Sequence, residues 1–198
     1  MKALRFILGL LLVSSCSDTQ NKELENQGKA EKQISGDIIS KMQAKPNDKP
    51  LSAKEYGKAI INGVIMPTDN EQTLAWLDSL LSKNIESRNF AFQVYKVMVK
   101  KSDGALTEAI CGYIKDYLYF YPKEFLKNYQ KLDNEEQLLT EENIAFEFYT
   151  QGKEYQKELN IYFAKIQRTC QDCTSLDNLS LQDFRTKVET KIYQLLND

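Results

Sequence analysis

Histidine is absent from all 198 positions of this chain. With it go the commonest general base and the usual ligand of catalytic zinc, so Ser-His-Asp, Cys-His and HExxH chemistries are excluded. Glycine is sparse at 8 residues, and none of them falls into a GxGxxG or P-loop spacing, so the usual cradle for a nucleotide's phosphates is missing. No apolar run reaches the ~20 residues that a membrane-spanning helix needs. Basic charge is not in excess either, with 26 Lys and Arg against 28 Asp and Glu. Nucleic acid, whose phosphates reward a basic face, is therefore not expected as a partner, and nor is a polybasic grip on anionic lipid. The composition implies no cofactor and no metal.

What is present begins at the first residue. Lys2 and Arg5 precede an apolar run from Phe6 to Val13, and Val13-Ser14-Ser15-Cys16 supplies small residues ending in cysteine. This arrangement resembles a bacterial lipoprotein signal with its lipobox. The resemblance covers residues 1–16 and implies removal of 1–15, with Cys16 left as the lipid-bearing first residue. Acyl chains contribute about 0.8 kcal/mol per buried methylene, so the two or three chains the family carries would hold the protein at the membrane without spanning it. Loss of Lys2 and Arg5 takes 26 basic residues to 24 against 28 acidic ones, a formal charge of −4. Ser17 after the cysteine resembles the outer-membrane class of such lipoproteins, and Asp18 with Glu23 and Glu25 loosely resembles a surface-export signal. A cell-envelope location is expected, the outer membrane favoured, with the facing side open.

From Ser17 to Gln33 only Leu24 is a large aliphatic and no residue is aromatic. Such a stretch buries too little apolar surface to offset its ordering entropy, so residues 16–33 read as the lipidated cysteine and a flexible tether. Ile34, Ile38, Ile39 and Met42 recur at helical spacing, which allows a short helix before the break from Pro46 to Pro50. Residues 34–198 form the expected domain, long enough for one hydrophobic core.

That domain reads as all-α, with about seven helices packed as antiparallel hairpins in a bundle or a short α-solenoid-like array. Ser52 with Glu55, Thr68 with Glu71, Asp133 with Glu136, and Ser180 with Asp183 each place a capping oxygen three residues before an acid that can reach back. Residues 87–101 carry a single polar stripe at Asn89, Gln93, Lys96 and Lys100, which favours helix over strand. Leu106 to Tyr121 is a second apolar helix, stopped by Pro122, which can open the next one. Tyr155, Leu159, Phe163 and Ile166, and then Phe184, Val188, Ile192 and Leu195, mark two more apolar stripes.

Four sets of residues carry candidate chemistry. Cys170 and Cys173 form a CxxC that follows a helix end, where the dipole disfavours a thiolate. A structural disulfide worth about 2 kcal/mol is expected, with free thiols or a metal-bound pair, and redox activity, as the alternatives. Cys111, beside Ile110 and Ile114, reads as a small buried residue. Glu86 with Ser87 and Phe90 resembles the Glu-Ser start of the catalytic motif in lytic transglycosylases, which implies Glu86 as acid or base in glycan cleavage. On capping grounds, Ser87 instead caps a helix beginning at Arg88 and leaves Glu86 in solvent. Tyr113, Tyr117 and Tyr121 lie four apart on one helix, either as core with hydroxyls at the surface or as a surface that stacks on sugar or peptide. Glu135, Glu136, Glu141 and Glu142, with Asp133 and Glu147, form an acidic stretch without a cation between Leu132 and Gly152. They sit at two helix starts or form a docking face for a basic partner.

The expectation for function is a lipid-anchored, non-catalytic helical domain that binds another envelope component, a protein foremost, in an accessory, inhibitor or immunity-type role. Glu-dependent cleavage of peptidoglycan or another glycan is the alternative, and CxxC redox chemistry the third.

Overall fold

A computed structural model describes residues 50–197. The chain divides into a unit Met1–Asp48, which lies outside the described residues, and a unit Lys49–Asp198. Cys16, the tether and the short helix expected around Ile34 to Met42 fall in the former.

Local signals set the helix starts. Ser52 and Glu55 close a reciprocal capping box over α1 (Ala53–Ile61), and Asp133 with Glu136 does the same for α6 (Asn134–Tyr149), each pair supplying acceptors to free backbone N–H groups. Pro122 occupies the first turn of α5 (Pro122–Tyr129), directly after α4 (Gly104–Phe120), as its lack of an N–H predicts. Three starts differ from the sequence reading. Asn70, not Thr68, caps α2 (Glu71–Ser79), while the Thr68 hydroxyl accepts a bond from the Asn70 amide at 2.8 Å. Asn84, not Ser87, caps α3 (Ile85–Lys101) and accepts from the N–H groups of both Glu86 and Ser87. The last helix, α8 (Ser175–Asn197), starts at the reciprocal pair Thr174 and Asp177, ahead of the expected Ser180. Between α6 and α8 lie a 3-10 turn (Gly152–Glu154) and α7 (Tyr155–Thr169).

Among the described residues there are thus eight α-helices and no strand, an all-α fold with one helix more than expected. The acidic stretch belongs to a single continuous helix rather than two starts. Thr140, midway along α6, turns its hydroxyl back to the Glu136 carbonyl at 2.7 Å and meets the Tyr95 hydroxyl at 2.7 Å, so it fastens α6 to α3 instead of capping anything.

The closest helix associations are α6 with α8, α4 with α6, and α1 with α3, each joining helices two apart in the chain. The arrangement is therefore nearer to a short stacked array than to separate hairpins. Each expected stripe faces this core: Leu159, Phe163 and Ile166 from α7 and Phe184, Val188 and Ile192 from α8 are buried. Phe125, Tyr129 and Phe184 meet edge-on or stacked at 4.9 to 6.0 Å, the geometry that aromatic quadrupoles favour. Truncating such a ring to alanine typically costs about 3–5 kcal/mol. At Gly57 a Cβ would lie 2.8 Å from both Phe90 and Trp76, so the missing side chain is what lets α1 sit tightly on α2 and α3.

Candidate functional site

The acidic residues of α6 find cations on other helices. Glu136 is buried and caps its own helix, with the Lys96 ammonium at 3.5 Å. Lys100 of α3 reaches Asp133 at 2.7 Å and Glu135 at 3.3 Å. The Lys100 hydrogen bond and the backbone N–H of Glu136 hold the Asp133 carboxyl below its usual range. Glu141 is buried and accepts from the Tyr129 hydroxyl. Glu142 pairs with Lys191 of α8 at 3.1 Å, and Glu147 with Lys115 of α4 at 2.6 Å. Of the expected docking face, Glu136 and Glu141 are buried and engaged within the domain, while Glu135 and Glu142 pair with lysines and keep exposed carboxylate surface.

Of the tyrosine ladder only Tyr117 lies wholly in the core, while Tyr113 and Tyr121 are half-buried against it. Tyr117 is fully buried, donates to Glu124 at 2.8 Å and accepts from Asn128 at 2.9 Å. Burial first, and then the Glu124 carboxylate, push its hydroxyl far above the usual phenol range. Glu124 also takes a forked pair of bonds from Arg88, which donates to the Ser82 carbonyl at 2.7 Å and lies 3.9 Å over the Tyr121 ring. Its hydrogen bond to Glu124 raises the pKa of Arg88 still further, so the guanidinium stays charged. Tyr121 donates to the carbonyl of Ser82 at 3.1 Å, and Tyr113 to Asp78 at 2.5 Å. A cleft of about 480 Å³ opens beside Arg88, Tyr119, Phe120 and Cys170. Its charges are mutually paired, including Lys123, whose ammonium lies 3.9 Å from the Asp172 carboxylate and donates to the Asp172 backbone carbonyl at 2.8 Å. This cleft is a structural junction that ties α3, α4 and α5 to the α7–α8 connection.

Cys170 and Cys173 form a disulfide with Cα atoms 5.4 Å apart. With Asp172 they gather three atoms of metal-ligating type, but bonded sulfurs are not thiolates and offer no metal site. Cys111 is free and buried, and desolvation pushes its thiol up to about 12. Glu86 is exposed in the first turn of α3. It lines neither the cleft beside Arg88 nor the concave surfaces around Tyr129, Phe146 and Tyr162, so none of these supplies the substrate cleft that catalysis by Glu86 requires. Cys16 lies outside the described residues.

One surface was not anticipated. Between α4, α6 and α8 runs a groove of about 470 Å³. From α4 it takes Gly104, Thr107, Glu108 and Cys111, from α6 Leu139, Glu142, Asn143 and Phe146, and from α8 Lys191, Gln194 and Leu195. The α4 and α6 sets share one spacing of three, one and three, so each is a single helix face, and the α6 face is about 10 Å long. Phe146 is exposed, and Leu139 and Leu195 are half-buried. Cys111 and Asn143 approach at 3.7 Å in its floor. Glu108 is exposed at the edge and forms no ion pair among the described residues. The sequence carries the signal as Leu139 and Phe146, seven apart, but embeds it in a stretch dominated by acids.

Comparison with known proteins yields no match, whether to a family model, a curated sequence or a solved structure. The chemistry of the molecule itself must carry the functional reading.

Proposed function

We propose that this protein is a lipid-anchored, non-catalytic binding module of the bacterial cell envelope, and that its helical domain engages another envelope protein through the groove between α4, α6 and α8. The observation that carries the reading is the contrast between two kinds of surface. The acidic and tyrosine groups that could have done chemistry are tied up in ion pairs and hydrogen bonds within the domain, whereas Phe146 leaves apolar area in water at an open groove that Leu139 and Leu195 also line. Apolar side chains grouped in this way mark interaction sites more often than chance exposure does. No helix among the described residues is long and apolar enough to cross a membrane. What supports attachment through a lipid on Cys16 is the resemblance of residues 1–16 to a lipoprotein signal.

Two measurements test the reading. Metabolic labelling with a fatty-acid analogue should mark the full chain and fail to mark Cys16→Ser. Affinity capture from cross-linked envelopes should then enrich one protein with the native chain and lose it with Phe146→Asp. Enriched glycan fragments with no protein would instead return attention to Glu86.

A further inference from the structure

Resting on that reading, we infer that the groove's occupant is a basic amphipathic helix of a partner protein. The shape is the first ground. The faces of α4 and α6 run along the groove with helical spacing, and α8 closes the other side through Lys191 and Leu195. Side-chain ridges spaced in this way accept the ridges of another helix. A strand has no comparable place to add, since the described residues contain no sheet edge.

The chemistry supplies the second ground. Leu139 and Phe146 offer apolar seats about two helical turns apart along α6, and α8 contributes Leu195, a set that matches leucine-type side chains at positions i, i+3 or i+4, and i+7. The charge at the rim is unbalanced. Lys191 is matched by Glu142 at 3.1 Å, while Glu108 on the opposite wall has no cation among the described residues. A lysine or arginine on the incoming helix completes that wall, and an acidic helix is repelled by it. The same carboxylate disfavours an anionic lipid headgroup as occupant.

The test uses the purified full chain and two synthetic peptides of about 15 residues, with leucines at i, i+3, i+4 and i+7 and either lysine or glutamate elsewhere. Fluorescence anisotropy should show the lysine peptide binding about ten-fold tighter than the glutamate peptide, the size of one favourable charge pair at an interface. Phe146→Asp should abolish binding, with circular dichroism confirming the fold. Glu108→Lys should reverse the preference between the peptides. Equal binding of both peptides, or binding untouched by Phe146→Asp, overturns the inference. Concentration-dependent self-association of the full chain that Phe146→Asp abolishes would show that a second copy is the occupant, and overturns it too. If neither peptide binds while Phe146→Asp still loses the captured envelope protein, the class of partner is wrong but the groove reading stands. If the capture is also unaffected, both fail.

Discussion

Replacing Arg88 with methionine should destabilise the domain by about 3 kcal/mol, because it leaves Glu124 buried without its cation. The structure fixes what is lost. Arg88 donates to Glu124 through Nε at 3.0 and 3.2 Å and through Nη2 at 2.5 Å, donates to the Ser82 carbonyl at 2.7 Å, and stacks over Tyr121 at 3.9 Å. The two side chains are only 8% and 17% exposed, so water screens the pair little and cannot replace the missing partner. One bond survives at the carboxylate, from the Tyr117 hydroxyl, which keeps the cost at the lower end of the range for a broken buried pair. For a domain of this size the loss corresponds to a fall of about 10 °C in Tm. Urea unfolding followed by circular dichroism gives the free energy, and an unchanged slope with denaturant shows that stability alone has moved. Arg88→Lys keeps the charge but not the planar fork, and should recover about half of the loss. In a double-mutant cycle with Glu124→Gln the coupling should be about 2 kcal/mol. A cost below about 1 kcal/mol, the range of exposed ion pairs, would refute the account of Arg88 as the junction between α3 and α5.

Other consequences follow from the same contacts. Tyr95, Tyr117, Tyr129 and Tyr162 have phenol pKa values raised by burial, so the fold keeps them protonated. Their contribution is complete below pH 10 and is lost as pH rises above it, so absorbance at alkaline pH should show these four of the 11 tyrosines titrating only with cooperative unfolding. Their smooth titration with an intact fold would contradict this. Reducing the Cys170–Cys173 bond should cost about 2 kcal/mol on the chain-entropy model and leave the far-ultraviolet spectrum unchanged. Loss of helix on reduction would show a larger role. Cys111, with its thiol pushed up to about 12, should react with an alkylating reagent only at the rate of local opening, and fast reaction in native buffer would mean that the groove floor is open.

How much could be read from the sequence depended on the range of the interaction. The capping boxes at Ser52 and Asp133, the stop at Pro122 and the apolar stripes of α7 and α8 are local patterns, and each holds in the structure. The misplaced starts also involve local patterns, but degenerate ones. Ser87 and Ser180 each had the right chemistry at a plausible position, while Asn84 and Thr174 captured the backbone donors a few residues earlier. Partners distant in the chain were invisible. Glu124 lies 36 residues from Arg88, and Lys191 lies 49 from Glu142, so the acidic stretch looked unpaired although its cations came from α3, α4 and α8. The groove escaped for a related reason. It exists only where three helices meet, and on α4 alone Gly104, Thr107 and Glu108 look like an ordinary solvated face.

The central claim, that this groove is where an envelope partner docks, is tested most directly by a photoreactive amino acid placed at Leu139 in the full lipidated chain in living cells. Irradiation should give one discrete cross-linked protein, which disappears when Phe146→Asp is combined with it and is not seen from a probe at exposed Lys153 beyond the end of α6. No adduct from Leu139, or the same adduct from Lys153, would contradict the account.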